Sequence, residues 1–392
     1  MIVYKFGGAS VKDADGVRNL AQISNSCKES LVVVISAFGK TTNAIEELIS
    51  NDIDSDILDY RFKKIKEYHL QFVNDLIVDK YHKVFDKVND LFNSLYDIIV
   101  DNSISDFNYK YDQTVSFGEI LATTIVSEYL NFISISNTLV DIRNCIITDN
   151  TYREANVNWD VTRKRVKSEF CKKNSICITQ GFIAGTIKGE TLTLGREGSD
   201  YTASILGNIL NVKEVVVWKD VPGVLNADPR YFSKSQKLNK ISYQEAVELA
   251  YFGAKIIHPK TIKPLQNKGI PLIVKSFIEP ENPGTLIYDI SKYNEELPIF
   301  ILKKNQILIS FSPKDMSFVI EQSLSRIMNL LIENRIKINL VQSSAVSFSF
   351  CIDNSKHNIF SIVENLKNDF QILYNDNLEL LTIRHYYKSN ID

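Results

Sequence analysis

Between Thr193 and Ala203 the chain reads Thr-Leu-Gly-Arg-Glu-Gly-Ser-Asp-Tyr-Thr-Ala. A short strand that passes through a glycine turn into a helix beginning near Ser199 would present unpaired N–H groups and a partial positive charge to an anion. Ser199 and Asp200 stand where a helix cap is expected, and capping alone would account for both. It would not account for Arg196, whose rigid guanidinium fork suits a carboxylate or a phosphate. A second candidate lies in Lys5-Phe6-Gly7-Gly8-Ala9-Ser10-Val11. A strand, two glycines and a helix allow either a plain turn or the close approach of backbone N–H groups to a phosphate, with the Lys5 ammonium at the same point. The stretch fits neither the Rossmann nor the P-loop glycine pattern.

Other polar groups gather where strands should end. Leu31 to Ser36 is a continuous apolar run, as in a strand buried on both faces of a parallel sheet, and it leads into Lys40, Thr41 and Thr42. Glu119 follows Ser116-Phe117-Gly118 at the start of a helix, where an acid is favourable by default. Lys219 to Arg230 is a long loop rich in turn formers and charge, a kind that is usually functional. His258, before Pro259, reads as a structural residue at a helix start.

These groups need a frame. Ile2 to Phe6 reads as a strand and 13–26 as a helix. Further strands fall at 31–36, 133–141, 175–180 and 214–218, with helices at 160–173, 199–210 and 242–252. Apolar residues at helical spacing in 57–100 predict an antiparallel helical pair with a packing and lid role, followed by a third helix at 115–131. The alternation predicts an α/β fold, an αβα sandwich with a mainly parallel sheet. From Leu297 the order becomes strand 299–311, helix 318–334, strands 336–343 and 345–352, helix 357–369 and strand 378–387. That is a βαββαβ, ferredoxin-like unit. The predicted division is 1–290, with a helical insertion at about 45–110, and 297–392.

Composition agrees with this placement. All fifteen glycines fall at or before Gly284, so the close backbone approaches of small-molecule chemistry belong to the first part. With 392 residues, 44% hydrophobic, 23% charged and a net charge of −2, a general nucleic-acid binder is not expected. No apolar run reaches the roughly 18–20 residues of a membrane span, and no signal peptide is apparent at Met1-Ile2-Val3-Tyr4-Lys5. Five scattered cysteines with no CxxC pair read as reduced thiols of a cytoplasmic protein.

Taken in order, these motifs resemble those of the aspartokinases, within the amino-acid kinase family. Lys5 to Val11 is similar to the family's opening motif, with Ala9 in place of threonine. Ser116 to Glu119, Gln180-Gly181-Phe182, Leu194 to Ala203, Trp218 to Arg230 and Phe252 to Pro259 follow in the family's order across the whole chain. The resemblance implies ATP-dependent phosphorylation of the L-aspartate side chain, with Mg²⁺ arriving on the nucleotide and no metal ligands assigned to the protein. It implies Lys5 and Asp200 as the catalytic pair. ATP would be met by Lys5, Phe6, Gly7, Gly8, Ser10, Lys219, Asp220, Leu225, Arg230 and Lys255, and aspartate by Ser36, Thr42, Glu119, Phe182, Arg196 and Ser199. Lys219 and Leu225 depart from the threonine and tyrosine common in relatives, and Glu197 takes a position that is usually glycine.

The tail resembles a single ACT-like regulatory domain where relatives carry two, which implies a homodimer formed through it. The last strand resembles a piece left after loss of the second domain. The stretch near 313–323 has no glycine and Ala345 replaces an acid, so lysine inhibition is expected to be weak or absent. Two alternatives are a family member acting on another carboxylate or carbamate, and a catalytically inactive amino-acid-binding subunit. Glu119 with Arg196 favours an amino acid over the first, and Lys5, Arg196 and Asp200 together speak against the second.

Overall fold

The computed structural model describes residues 1–50, 53–170, 176–254, 257–290, 297–314, 321–334, 336–354 and 362–386. The chain divides into two compact units. One comprises Met1–Val224, Lys237–Val247 and Lys255–Glu295, and the other Leu225–Gln236, Glu248–Ala254 and Glu296–Asp392.

In the first unit β1 (Ile2–Phe6) leads to α1 (Ala14–Ser26), whose Asp13 cap accepts a hydrogen bond from Gly16 N–H. β2 (Leu31–Ile35) is buried throughout and is followed by the short α2 (Thr41–Glu46). The insertion holds α3 (Ser55–Leu76) and α4 (Val84–Val100), as their apolar spacing predicts, and then α5 (Phe107–Val115). Sequence reading missed α5, although Asp106 caps it by accepting from Asn108 and Tyr109 N–H. α6 (Phe117–Phe132) follows and is buried from Phe117 to Leu130. β3 (Asn137–Val140) is shorter than predicted; α7 (Trp159–Phe170) and β4 (Ile176–Gln180) follow. A hairpin of β5 (Ile183–Gly185) and β6 (Thr191–Thr193) leads into α8 (Gly198–Leu210) and β7 (Val215–Lys219). β8 (Lys240–Ser242), α9 (Tyr243–Phe252, whose residues from Glu248 on are counted in the second unit), α10 (Pro259–Gln266), β9 (Leu272–Ser276) and β10 (Thr285–Tyr288) complete the series. His258 is the N-cap of α10, its side chain accepting from Lys260 N–H, a structural role as expected.

The eight-stranded sheet has the order β3-β4-β2-β1-β7-β9-β10-β8 and is parallel except between β9 and β10. Its register decides where the chemistry can sit. Phe6 pairs with Ile35 on one side and Trp218 on the other, and Ile35 pairs with Gln180. The next residues in each chain segment, Gly7, Ser36, Gly181 and Lys219, therefore emerge along one end of the sheet. Alternation along β1 sends Phe6 into the core shared with α1, α3, α4 and α6, and Lys5 to the other face, where α8 packs.

The insertion is part of that core. Phe38 stacks on Phe72 of α3 with ring centroids 4.2 Å apart, and Phe92 of α4 is fully buried in the same cluster. These helices pack against the sheet, the packing role expected of them.

The second unit contains β11 (Ile299–Pro313), α11 (Glu321–Glu333), β12 (Ile338–Ser343), β13 (Phe348–Asp353), a helical segment at 362–366 and β14 (Phe370–Arg384). Its antiparallel sheet, ordered β12-β13-β11-β14, is the βαββαβ arrangement expected. The final strand corrects the sequence reading. It begins at Phe370 rather than 378 and pairs with β11 along its whole length, across register shifts near Gln306. Asn305 and Asn377, with φ of 58° and 55°, absorb those shifts, and the polar run Asn-Asp-Asn there hides the continuity of the strand. Phe311, Ile327, Leu331 and Phe350 lie in its core.

Removing the Phe72 ring empties core volume between α3 and the sheet. Phe72→Ala is expected to cost about 3–5 kcal/mol in urea unfolding. A loss below about 1 kcal/mol would mean that the insertion is loosely attached.

Candidate active site

The site is built where the β1, β2, β4 and β7 ends meet the start of α8. Lys5 is buried, and its Nζ lies 2.6 Å from Asp200 Oδ1. Lys219, on the adjacent strand β7, places its Nζ 3.9 Å from Asp200 Oδ2. Burial alone would raise the Asp200 pKa, but the ammonium groups of Lys5 and Lys219 outweigh it and hold the carboxyl below the usual range. Two cations thus share one anion, leaving an excess of positive charge beside the glycines.

Gly7 and Gly8 are shaped for this neighbourhood. A side chain on Gly7 would come within 3.4 Å of Lys5 Nζ. One on Gly8 would lie 2.7 Å from Ala37 O and 2.8 Å from Gly39 O, so only glycine lets the β1–α1 turn pass this close to the β2–α2 turn. Ser10 is buried and its hydroxyl donates to Trp218 O at 3.4 Å, joining the turn to β7. Phe6 stacks on Trp218 beneath.

Glu119 supplies a second, different carboxylate. It is 3% exposed; Oε1 accepts from Ala37 N–H at 3.3 Å, and Oε2 is buried with no hydrogen-bond partner. Burial pushes its pKa up to about 8, against the lowering effects of the Ala37 and Glu119 N–H groups and of Lys5. A buried carboxylate oxygen without a donor favours a cationic ligand. Ala37 follows Ser36, which is half-buried, as is Thr42 on α2.

The start of α8 differs from the capping expectation. Its N-cap is Glu197, in left-handed geometry with φ 55°, and its side chain makes no capping bond. Ser199 and Asp200 lie inside the first turn, so Asp200 is free to meet Lys5. Left-handed geometry at 197 gives the physical reason why glycine suits that position. Phe182 also has a positive φ, 67°, and its N–H donates to Thr202 Oγ1 on α8, fixing the ring beside the helix start. Arg196 is exposed and forms no ion pair or hydrogen bond among the described residues.

The remaining expected nucleotide contacts divide. Asp220 is exposed, directly after β7. Leu225 and Arg230 belong to the second unit, where Arg230 is engaged with Asp228 through Nε–Oδ1 at 3.0 Å and Nη2–Oδ2 at 2.6 Å. Lys255 lies outside the described residues. Among the described residues no cluster of three His, Cys, Asp or Glu side chains could hold a metal ion, and no helix is long and apolar enough to cross a membrane. Sequence reading missed Asp112 and the Ala37 N–H. The first sits on the unrecognised α5, and the second is a backbone group that no residue type announces.

Residues 1–276 match the amino acid kinase family, and the chain belongs to that family. Within it, aspartokinases are among the relatives that this chain matches. It is 32% identical over 365 residues to aspartokinase 1, chloroplastic, of Arabidopsis thaliana, covering 90% of this chain and 63% of that one. The chain thus spans less than two thirds of that relative's length. The structure of Escherichia coli aspartokinase III in complex with lysine and aspartate superposes with a TM-score of 0.85 at 27% identity, over 98% of this chain and 86% of that one. The complex of the same enzyme with aspartate and ADP gives 0.83 at 26%, over 98% and 87%.

The buried acid has a consequence for stability. The folded chain keeps the Glu119 proton up to about pH 8, whereas the unfolded chain releases it near pH 4.5. The folded state therefore binds more protons in that window, and its stability falls as pH rises across it. Glu119→Gln cannot ionise. In thermal melts its stability relative to wild type should rise from pH 4.5 to 8 and level off above. A difference independent of pH would mean that Glu119 ionises on the folded chain as it does in water.

Proposed function

We propose that the chain catalyses ATP-dependent phosphorylation of the β-carboxylate of L-aspartate to 4-phospho-L-aspartate, the first step toward lysine, threonine and methionine. The observation that carries this reading is the Lys5–Asp200–Lys219 cluster beside the Gly7-Gly8 turn, with Glu119, whose Oε2 has no hydrogen-bond partner, in the same unit. The aspartate and ADP held by the similar Escherichia coli enzyme support the same pair of substrates.

The chemistry asks little of a general base. A side-chain carboxylate with a pKa of about 4 is already ionised at neutral pH. The task is to hold two anions together and to stabilise charge on the phosphoryl group in flight. Lys5 and the Gly7 and Gly8 N–H groups suit the ATP phosphates, with Phe6, Ser10, Lys219 and Asp220 around them. Leu225, Arg230 and Lys255 complete the proposed nucleotide set. Asp200 holds the Lys5 ammonium in place. Arg196 and Ser199 suit the α-carboxylate, Glu119 the α-ammonium, and Ser36, Thr42 and Phe182 the remaining walls. A magnesium ion carried by ATP would neutralise phosphate charge, with Asp200 as the nearby acidic group. An incoming ammonium would also draw the proton from Glu119, coupling substrate binding to ionisation.

We assign 1–290 to catalysis and the βαββαβ unit, 297–392, to an ACT-like role in forming a homodimer, with weak or absent inhibition by lysine. The protein is expected to act in the cytoplasm, without nucleic acid or membrane partners.

One assay tests the reading. With ATP, Mg²⁺ and L-aspartate, hydroxylamine should trap an acyl phosphate, and Lys5→Ala should lower the rate by about a hundredfold or more. Product with glutamate or acetylglutamate instead of aspartate would move the substrate, and no product with any acid would favour a binding subunit. Lysine added to the same assay should leave the rate unchanged; inhibition near millimolar concentration would contradict the regulatory part.

A further inference from the structure

Three of the elements proposed to contact the amino acid are tied together at one buried carboxylate that touches none of the contact residues. Asp112, on α5, is fully buried. Its Oδ1 accepts from the Thr193 hydroxyl at 2.7 Å, and its Oδ2 accepts from Arg153 N–H at 2.9 Å. Its neighbour Gln113 donates from Nε2 to Thr191 O at 2.7 Å, so consecutive residues of α5 grip β6.

Each partner leads toward the site. Thr193 ends β6 just before the turn that carries Arg196, and its carbonyl accepts from Ala155 N–H at 3.0 Å. Gly195 in that turn has φ 78°, and a side chain there would lie 3.2 Å from Arg153 O and 3.1 Å from Glu154 Cγ. The 153–155 segment is therefore a floor under the turn. Arg153 itself has φ 70°; its guanidinium lies 4.1 Å from the Tyr111 ring centre, and Nη2 reaches Glu46 Oε1 at 3.4 Å. Glu46 ends α2, the helix of Thr42. α5 runs through Ser116 directly into α6, the helix of Glu119.

A plain packing role would be better served by an apolar side chain, because a buried carboxylate is costly even when both oxygens are hydrogen-bonded. What a carboxylate adds is directional: two acceptors fixed on one rigid group, one for each element that shapes the turn. We infer that Asp112 is a positioning residue for the amino-acid subsite, acting through Thr193 and Arg153 to set Arg196 relative to Glu119 and Thr42. The inference rests on the reading of Arg196 and Glu119 as partners of the substrate's carboxylate and ammonium.

The test is steady-state kinetics on the full chain, with KM for aspartate and for ATP measured separately. Thr193→Val keeps the volume and removes the hydroxyl; Thr193→Ser keeps the hydroxyl. The valine variant and Asp112→Asn should raise KM for aspartate about tenfold or more while leaving KM for ATP within about twofold, and the serine variant should restore the wild-type value. Serine as impaired as valine, or equal effects on both substrates, would reduce Asp112 to packing and overturn the inference. The threonine pair keeps the test decisive should Asp112→Asn fail to fold. Arg196→Ala separates the two layers. A raised KM for aspartate in Arg196→Ala, without one in Thr193→Val, defeats this inference alone. An unchanged KM in Arg196→Ala defeats the reading of the subsite, and this inference with it.

Discussion

Everything at the sheet edge depends on one buried ion pair, Lys5 with Asp200. Two opposite charges taken out of water cost several kcal/mol each in desolvation, and only close geometry offsets that. The geometry here comes from elements that are rigid for other reasons. β1 is paired on both sides, by β2 and β7, and α8 packs across their face. The left-handed residue Glu197 turns the chain sharply enough for Asp200 to fall in the first helical turn. Removing the Asp200 charge would leave Lys5 buried without its counter-charge, and removing that of Lys5 would leave Asp200 only Lys219 at 3.9 Å, so the pair is held by fold and chemistry together.

The charge balance around this pair is suited to a polyanion. Lys5 and Lys219 contribute two positive charges against one on Asp200, and Glu119 is kept neutral by burial near pH 7. An excess of positive charge in a partly desolvated site attracts phosphate more strongly than the same charges in water. Under the proposed function the neutral Glu119 would be a reserve, silent toward the phosphates until an ammonium group arrived to ionise it. In the proposed reading, positioning of the amino acid would fall to the α5–β6 contacts, which are hydrogen bonds between elements rather than ion pairs and so are directional.

Legibility from sequence followed periodicity and length. β1 is a short, mainly apolar strand, β2 a continuous apolar run, and α3 and α4 have regular apolar spacing, so both kinds were visible. α5 was not, because its Asn-Tyr-Lys-Tyr-Asp-Gln-Thr core is polar on every side, and its buried Asp112 is held by tertiary partners. The β5–β6 hairpin has only three residues per strand, too few for alternation to register. Lys5 and Asp200 stand nearly two hundred positions apart, and only the motif resemblance paired them; the packing of α8 on β1 brings them together. The long final strand was concealed by a polar bulge, and the backbone strain at Glu197 and Phe182 was invisible because residue type alone suggests no positive φ there.

The most direct test of this account is the turnover number of Asp200→Asn, measured beside the wild type at saturating ATP and aspartate. Asparagine preserves shape and removes the charge that holds Lys5. The account predicts a fall in kcat of about a hundredfold or more with little change in KM for aspartate, because what is lost is the placement of charge on the phosphoryl group in flight. A variant that keeps kcat within about twofold of wild type would contradict it, since the ion pair would then be a packing feature and the phosphate site would have to be sought elsewhere on the chain.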